Sequence, residues 1–123
     1  MVKNMRLAII GSRNLSVSNL EKYISSGVLE IVSGGARGID TCAKEYAMEN
    51  DLILTEFLPE YSKYGRSAPL VRNDLIVDYA DEVIAFWDGK SRGTKYVIEK
   101  CKSKNKKLTV IRCDDEFRFV KPI

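Results

Sequence analysis

Five short apolar runs recur along the chain, and segments with helical spacing separate them; no other feature limits the fold as much. The runs are Met5–Ile10, Leu29–Val32, Leu52–Phe57, Val83–Trp87 and Leu108–Ile111. They lack the strict apolar–polar alternation of a sheet with one wet face, so they read as strands covered on both faces. Between them, Ile39, Cys42, Ala43, Tyr46 and Ala47 fall on one helical stripe, and Thr94, Val97, Ile98 and Cys101 on another. The spacing also predicts a helix through Val17, Leu20 and Ile24 that stops at Gly27, and one from Val71 to Ala80. Pro59 to Pro69 reads as a long polar and aromatic loop, and 114–123 as a short edge element kept from the sheet centre by Pro122.

Strands alternating with helices require crossovers, and right-handed crossovers give a doubly wound, Rossmann-like, three-layer α/β/α domain with a mainly parallel five-stranded sheet. At 123 residues, against about 150 per domain, the expectation is one domain over 1–123. No run nears the length of about 18 apolar residues needed to span a membrane. The N-terminal residues show no cleavable signal pattern. Cys42, Cys101 and Cys113 are far apart with no CxxC, and Cys42 and Cys101 fall at apolar helix positions. That usage suits a reducing, cytoplasmic setting.

The chain has no histidine. A Ser-His-Asp or Cys-His pair cannot be assembled from it, nor a His-ligated metal site. Proton transfer falls to carboxylates, Lys, Tyr, Cys or water. The net charge of +3 is mild, so charge alone does not argue for nucleic acid. Its one cluster, five lysines between Lys100 and Lys107, reads first as a solvated helix C-terminus and second as an anionic-partner patch.

Ligands of open parallel sheets bind beyond the carboxyl ends of the strands. Three of those ends combine glycine, hydroxyls and a basic residue. They are Gly11-Ser12-Arg13-Asn14, Ser33-Gly34-Gly35-Ala36-Arg37-Gly38-Ile39-Asp40, and Asp88-Gly89-Lys90-Ser91-Arg92-Gly93-Thr94. The second and third open helices, whose free N–H groups and positive dipole ends suit phosphate. Neither matches GxGxxG or GxxxxGK[ST]. Arg72 is placed to reach a phosphate or carboxylate and Asn73 a sugar hydroxyl or base edge; a solvated Arg and a capping Asn are the plainer alternatives. Asp40 is read equally as a cap for N–H groups or as a ribose contact. Tyr61 and Tyr64 either stack on a base or pack locally, and Trp87 belongs to the core or the cleft wall.

Gly11-Ser12-Arg13, Ser33 to Asp40, Ala68-Pro69-Leu70-Val71-Arg72-Asn73, Ala80-Asp81-Glu82-Val83-Ile84-Ala85-Phe86 and Ser91-Arg92-Gly93-Thr94 occur in this order. Together they resemble the SLOG superfamily, which joins the DNA-processing protein A (Smf) family and the lonely-guy phosphoribohydrolases. The small YspA/YpsA-related branch, DUF2493, is the nearest in pattern. The resemblance covers roughly residues 5–112. It implies a nucleotide or nucleotide-derived ligand among Gly11, Ser12, Arg13, Ser33, Gly34, Gly35, Ala36, Gly38, Ile39, Asp40, Arg72, Asn73, Ser91, Gly93 and Thr94, with no metal and no cofactor. In the phosphoribohydrolases the motif Pro-Gly-Gly-x-Gly-Thr-x-x-Glu ends in a catalytic Glu; here that place holds Val97. Glycosidic cleavage wants a carboxylate near the anomeric centre, with only Asp40 and Asp88 to substitute. The expectation is therefore a sensor or ligand-binding protein, leaning away from catalysis. The first alternative is a nucleoside-monophosphate N-glycosidase, and the second a single-stranded DNA binder. Related proteins imply a homo-oligomer whose size the sequence leaves open.

Overall fold

Strand β1 (Met5–Gly11) sets the layering of a computed structural model that describes residues 5–113 and the backbone of residues 119–120. Leu7 and Ile9 point into one core, Ala8 and Ile10 into the other, as alternation along a strand requires. The chain continues through β2 (Ser16–Val17), β3 (Val28–Ser33), α1 (Ile39–Glu49), β4 (Ile53–Glu56), α2 (Tyr61–Tyr64) and α3 (Ala68–Tyr79). It ends with β5 (Glu82–Trp87), α4 (Arg92–Ser103), β6 (Lys107–Arg112) and β7 (Phe119–Val120). The main sheet has the order β4-β3-β1-β5-β6, and every neighbouring pair is parallel. This is the Rossmann-like α/β fold that the alternation of runs predicts. The order reverses between β1 and β5, because the chain builds outward from β1 first through β3 and β4, then through β5 and β6.

On one face Ile39, Ala43 and Ala47 of α1 pack with Leu7, Ile9, Ile31, Ile84 and Phe86. On the other, Ile76 and Val77 of α3 and Val97, Ile98 and Cys101 of α4 pack with Ala8, Ile10, Val32, Val83 and Ala85. Each large side chain so buried is worth about 1.5–3 kcal/mol, so these two layers outweigh anything on the surface. The outer strands are less covered: Ile53 of β4 is 61% exposed and Val110 of β6 38%.

Two expectations are corrected. The helix through Val17, Leu20 and Ile24 does not form; the chain makes β2 and then one 3-10 turn, Leu20–Lys22. Ser16, Ser18, Asn19, Ser25 and Ser26 disfavour a helix, because their side chains compete for nearby backbone groups. The apolar spacing there reports burial: Leu15, Val17 and Leu20 join the α1 core without a helix. The stretch from Pro59 to Pro69 is also more ordered than a loop. It contains α2, a 3-10 turn at Gly65–Ser67 and the start of α3, which takes Pro69 into its first turn, where its missing N–H costs nothing. In the tail, β7 pairs in parallel with β2 as a separate small sheet, while Pro122 lies outside the described residues. Among the described residues no helix is long and apolar enough to cross a membrane.

Candidate functional site

The turns after β1, β3 and β5 meet around a cavity of about 440 Å³ at the reversal of strand order, where open α/β sheets place ligands. From the end of β1 come Ile10, Gly11, Ser12, Arg13 and Asn14. The turn after β3 adds Gly34 and Ala36, and α1 adds Asp40. One face of α3 supplies Pro69, Leu70, Arg72, Asn73 and Ile76, and the start of α4 supplies Ser91, Gly93, Thr94 and Val97.

Most of the polar groups here also hold the turns to one another. Ser12 is 1% exposed; its N–H donates to the Phe86 carbonyl (3.1 Å), and its Oγ accepts from the Asp88 N–H (3.3 Å). The β1 and β5 turns are thereby joined. Gly38, at φ 76°, starts α1 without a side-chain cap, and a Cβ there would stand 2.5 Å from the Arg13 carbonyl oxygen. Only glycine lets these two loops touch. Gly34 serves the same end differently, since a Cβ would meet Arg72 Nη1 at 2.5 Å.

Arg72 lies almost wholly buried, with 9% exposure. Its Nη1 donates to the carbonyls of Gly34 (2.7 Å) and Phe57 (3.5 Å), and its Nε to Asn73 Oδ1 (2.8 Å). Nη2 has no hydrogen-bond partner among the described residues. No buried side-chain nitrogen or oxygen among them lacks a partner, so Nη2 keeps some solvent access, and Arg72 lines both this cavity and a smaller neighbour. Burial pushes the Arg72 pKa down, Asp40 and Tyr61 oppose this, and the neighbouring Arg13 adds to the depression.

Asp40 Oδ2 accepts the Ala36 N–H at 3.0 Å, so of its two readings the capping contact is the one made. Burial raises its pKa, and the Ala36 bond and the Arg72 charge only partly offset this. Asp88 holds the other turn: Oδ1 accepts from the N–H groups of Lys90 and Ser91, both at 2.8 Å. Burial alone would raise the Asp88 pKa, but those two bonds and the Ser12 hydroxyl together lower it. Asp88 does not line the cavity, which leaves Asp40 as its only carboxylate among the described residues. At the start of α4 the Ser91 and Thr94 hydroxyls approach at 3.3 Å and no side chain caps the helix. Its first N–H groups are therefore available to an anion beside Gly93.

Several expected residues serve the site from outside this cavity. Ile39 is fully buried in the α1 core. Ser33 is buried too, and its Oγ accepts the Gly35 N–H at 3.2 Å. Gly35 lines a smaller neighbouring cavity, and Gly38 braces the Arg13 loop. Tyr61 and Tyr64 line neither, and Trp87 donates from Nε1 to the Ser91 carbonyl (3.0 Å), holding the α4 turn. Pro69 and Ile76 are not among the expected ligand contacts, although with Arg72 and Asn73 they fall at i, i+3, i+4 and i+7 of α3, a detectable stripe.

The lysine run is largely paired within the fold. Lys100 meets Asp74 at 3.4 Å, Lys104 meets Asp78, and Lys107 meets Glu82 at 3.7 Å. Lys106 donates to the Ala80 carbonyl, and Tyr96 donates to Asp74 at 2.8 Å.

The fold and site define a Rossmann-like α/β protein with a glycine- and arginine-lined cavity at its switch point. A family model for DNA recombination-mediator protein A matches residues 1–52. The matched stretch holds the β1 turn and the whole β3–α1 turn, and it stops before Arg72 and the α4 turn. It supports kinship with the superfamily that contains DNA-processing protein A, and does not reach as far as the YspA/YpsA-related branch. No curated protein and no solved structure matches the chain.

Proposed function

We propose that the protein binds a nucleotide or nucleotide-derived ligand in the switch-point cavity and acts as a sensor or ligand-binding protein. The observation that carries the reading is the joint presence, in one cavity, of the uncapped α4 N-terminus and of Arg72, whose Nη2 has no hydrogen-bond partner among the described residues. A phosphate has N–H donors on one side and guanidinium charge on the other. Asn73, whose Oδ1 is taken by Arg72, has its amide N–H₂ left to orient a sugar. Val97 sits where the phosphoribohydrolases carry glutamate, and Asp40 already holds the Ala36 N–H, so the reading leans away from hydrolysis.

Calorimetry with AMP, ADP-ribose, NAD and cyclic nucleotides tests it. Binding is expected for at least one of these. Arg13→Ala is expected to weaken it about tenfold, the weight of one charge-assisted contact, without lowering the melting temperature, because Arg13 is exposed. Silence from all of them at millimolar concentration rejects the reading. Release of free base from AMP, lost in Asp40→Asn, would move the protein to the N-glycosidases.

A second reading, single-stranded DNA binding, is favoured by the family match over 1–52. It predicts retention of single strands that weakens as salt rises. The absence of a gel shift at low salt removes it.

A further inference from the structure

A second cavity, of about 300 Å³, adjoins the first at the Gly34–Ala36 turn. Four residues line both: Arg13, Gly34, Ala36 and Arg72. The second adds Arg37, which is exposed, together with Leu58 and Pro59. Resting on the nucleotide reading above, we infer that the ligand carries two linked phosphoryl groups, one in each of these adjoining cavities, beside the Gly34–Ala36 turn and held among Arg13, Arg72 and Arg37.

Three guanidinium groups border these cavities, and the acids nearby do not balance them. Asp40 lines only the first cavity and gives its Oδ2 to the Ala36 N–H. Glu56 approaches within 3.6 Å of where a Gly35 Cβ would lie, and lines neither cavity. Arg13 and Arg72 line both cavities together, and Arg13 adds to the burial that disfavours the Arg72 charge, while Asp40 and Tyr61 oppose it. Like charges held together cost free energy that an anion between them relieves. A single phosphate in the first cavity would meet Arg72 and Arg13 and leave Arg37 unused. A second one brings Arg37 into play, and the planar guanidinium forks suit the oxygens of both phosphoryl groups. The exposed Leu58, 60% accessible beside Pro59, gives the second cavity an apolar wall for whatever follows that phosphate.

The test is calorimetric titration of the full chain with AMP, ADP and the 5′-phosphorylated thymidine dinucleotide in metal-free buffer. ADP is expected to bind about tenfold more tightly than AMP, the weight of one added charge-assisted contact. Arg37→Ala is expected to remove most of that gain and to affect AMP much less. Equal affinities for AMP and ADP overturn the inference while the nucleotide reading stands. No binding of either overturns both. Tighter binding of the dinucleotide than of AMP, with no gain for ADP, also overturns it, because the two phosphates would then be a sugar apart, as along a DNA strand.

Discussion

Asp88 illustrates how much of the candidate site is held by a side chain that never enters the cavity. Its carboxylate gathers the N–H groups of Lys90 and Ser91, while its own backbone N–H donates to Ser12 Oγ and ties the α4 turn to the β1 turn. Asp88→Ala is expected to cost about 1 kcal/mol at pH 7, the usual net loss when a hydrogen-bond acceptor is removed from a turn. Its folded pKa lies below the ordinary carboxylate value, so its contribution is present above about pH 4 and fades as pH falls through the lowered value. Urea melts of both proteins from pH 7 down to pH 2.5 check this: the gap should hold to about pH 4 and narrow below it. A gap that widened in acid would contradict the assignment. Asp40 has the opposite sign. Its raised pKa makes the native state most favourable below the ordinary carboxylate value, and that advantage is lost as pH rises through the folded value. Both roles are invisible in sequence. An Asp near a glycine turn can face a ligand or a backbone, and only the folded course of the turn decides which.

Elements differ in how far the sequence discloses them, and the difference has a physical cause. Helices α1 and α4 are legible because each keeps a Pro-free stripe of mostly apolar residues against the sheet. The segment after β1 carries apolar residues at similar intervals, yet its serines and Asn19 tip it to β2 and a single 3-10 turn. Spacing gave the burial correctly there and the geometry wrongly. The glycine turns were placed at the right end of the sheet because they follow strands, but contacts such as Gly38 against Arg13 depend on how neighbouring loops meet. The pairing of the lysine run also belongs to this scale. Helix α4 presents Tyr96, Lys100 and Lys104 to Asp74 and Asp78 of α3, a ladder between two helices. Exposed pairs of this kind are worth about 0.2–1 kcal/mol each and are screened by salt. Lys100→Gln/Lys104→Gln should therefore cost roughly 1 kcal/mol or less in 50 mM NaCl, and almost nothing in 1 M NaCl, by urea melts. The same variant should retain single-stranded DNA no differently from the wild type. Loss of retention without loss of stability would return the run to the role of a nucleic-acid surface.

For the whole molecule, what matters is that both cores are built on the same strands. Leu7 and Ile9 of β1 serve one and Ala8 and Ile10 the other, and β5 divides Ile84 and Phe86 from Val83 and Ala85 in the same way. Neither core can open without stripping a face from the central strands, so unfolding is expected as one cooperative transition. The cavity draws on the same shared frame, since its walls come from β1, the β3–α1 turn, α3 and α4. A ligand there touches both the first-built and the second-built sides of the sheet, and its binding energy should appear in the stability of the entire fold. At a free concentration about 100 times its dissociation constant, a nucleotide should add about 2.7 kcal/mol to unfolding. Thermal melts followed by far-ultraviolet dichroism and by fluorescence of Trp87, at the end of β5, should rise together by several degrees. A nucleotide that shifted the Trp87 signal and left the backbone transition in place would show that the two sides of the sheet unfold separately. The switch-point cavity would then be coupled to only one of them.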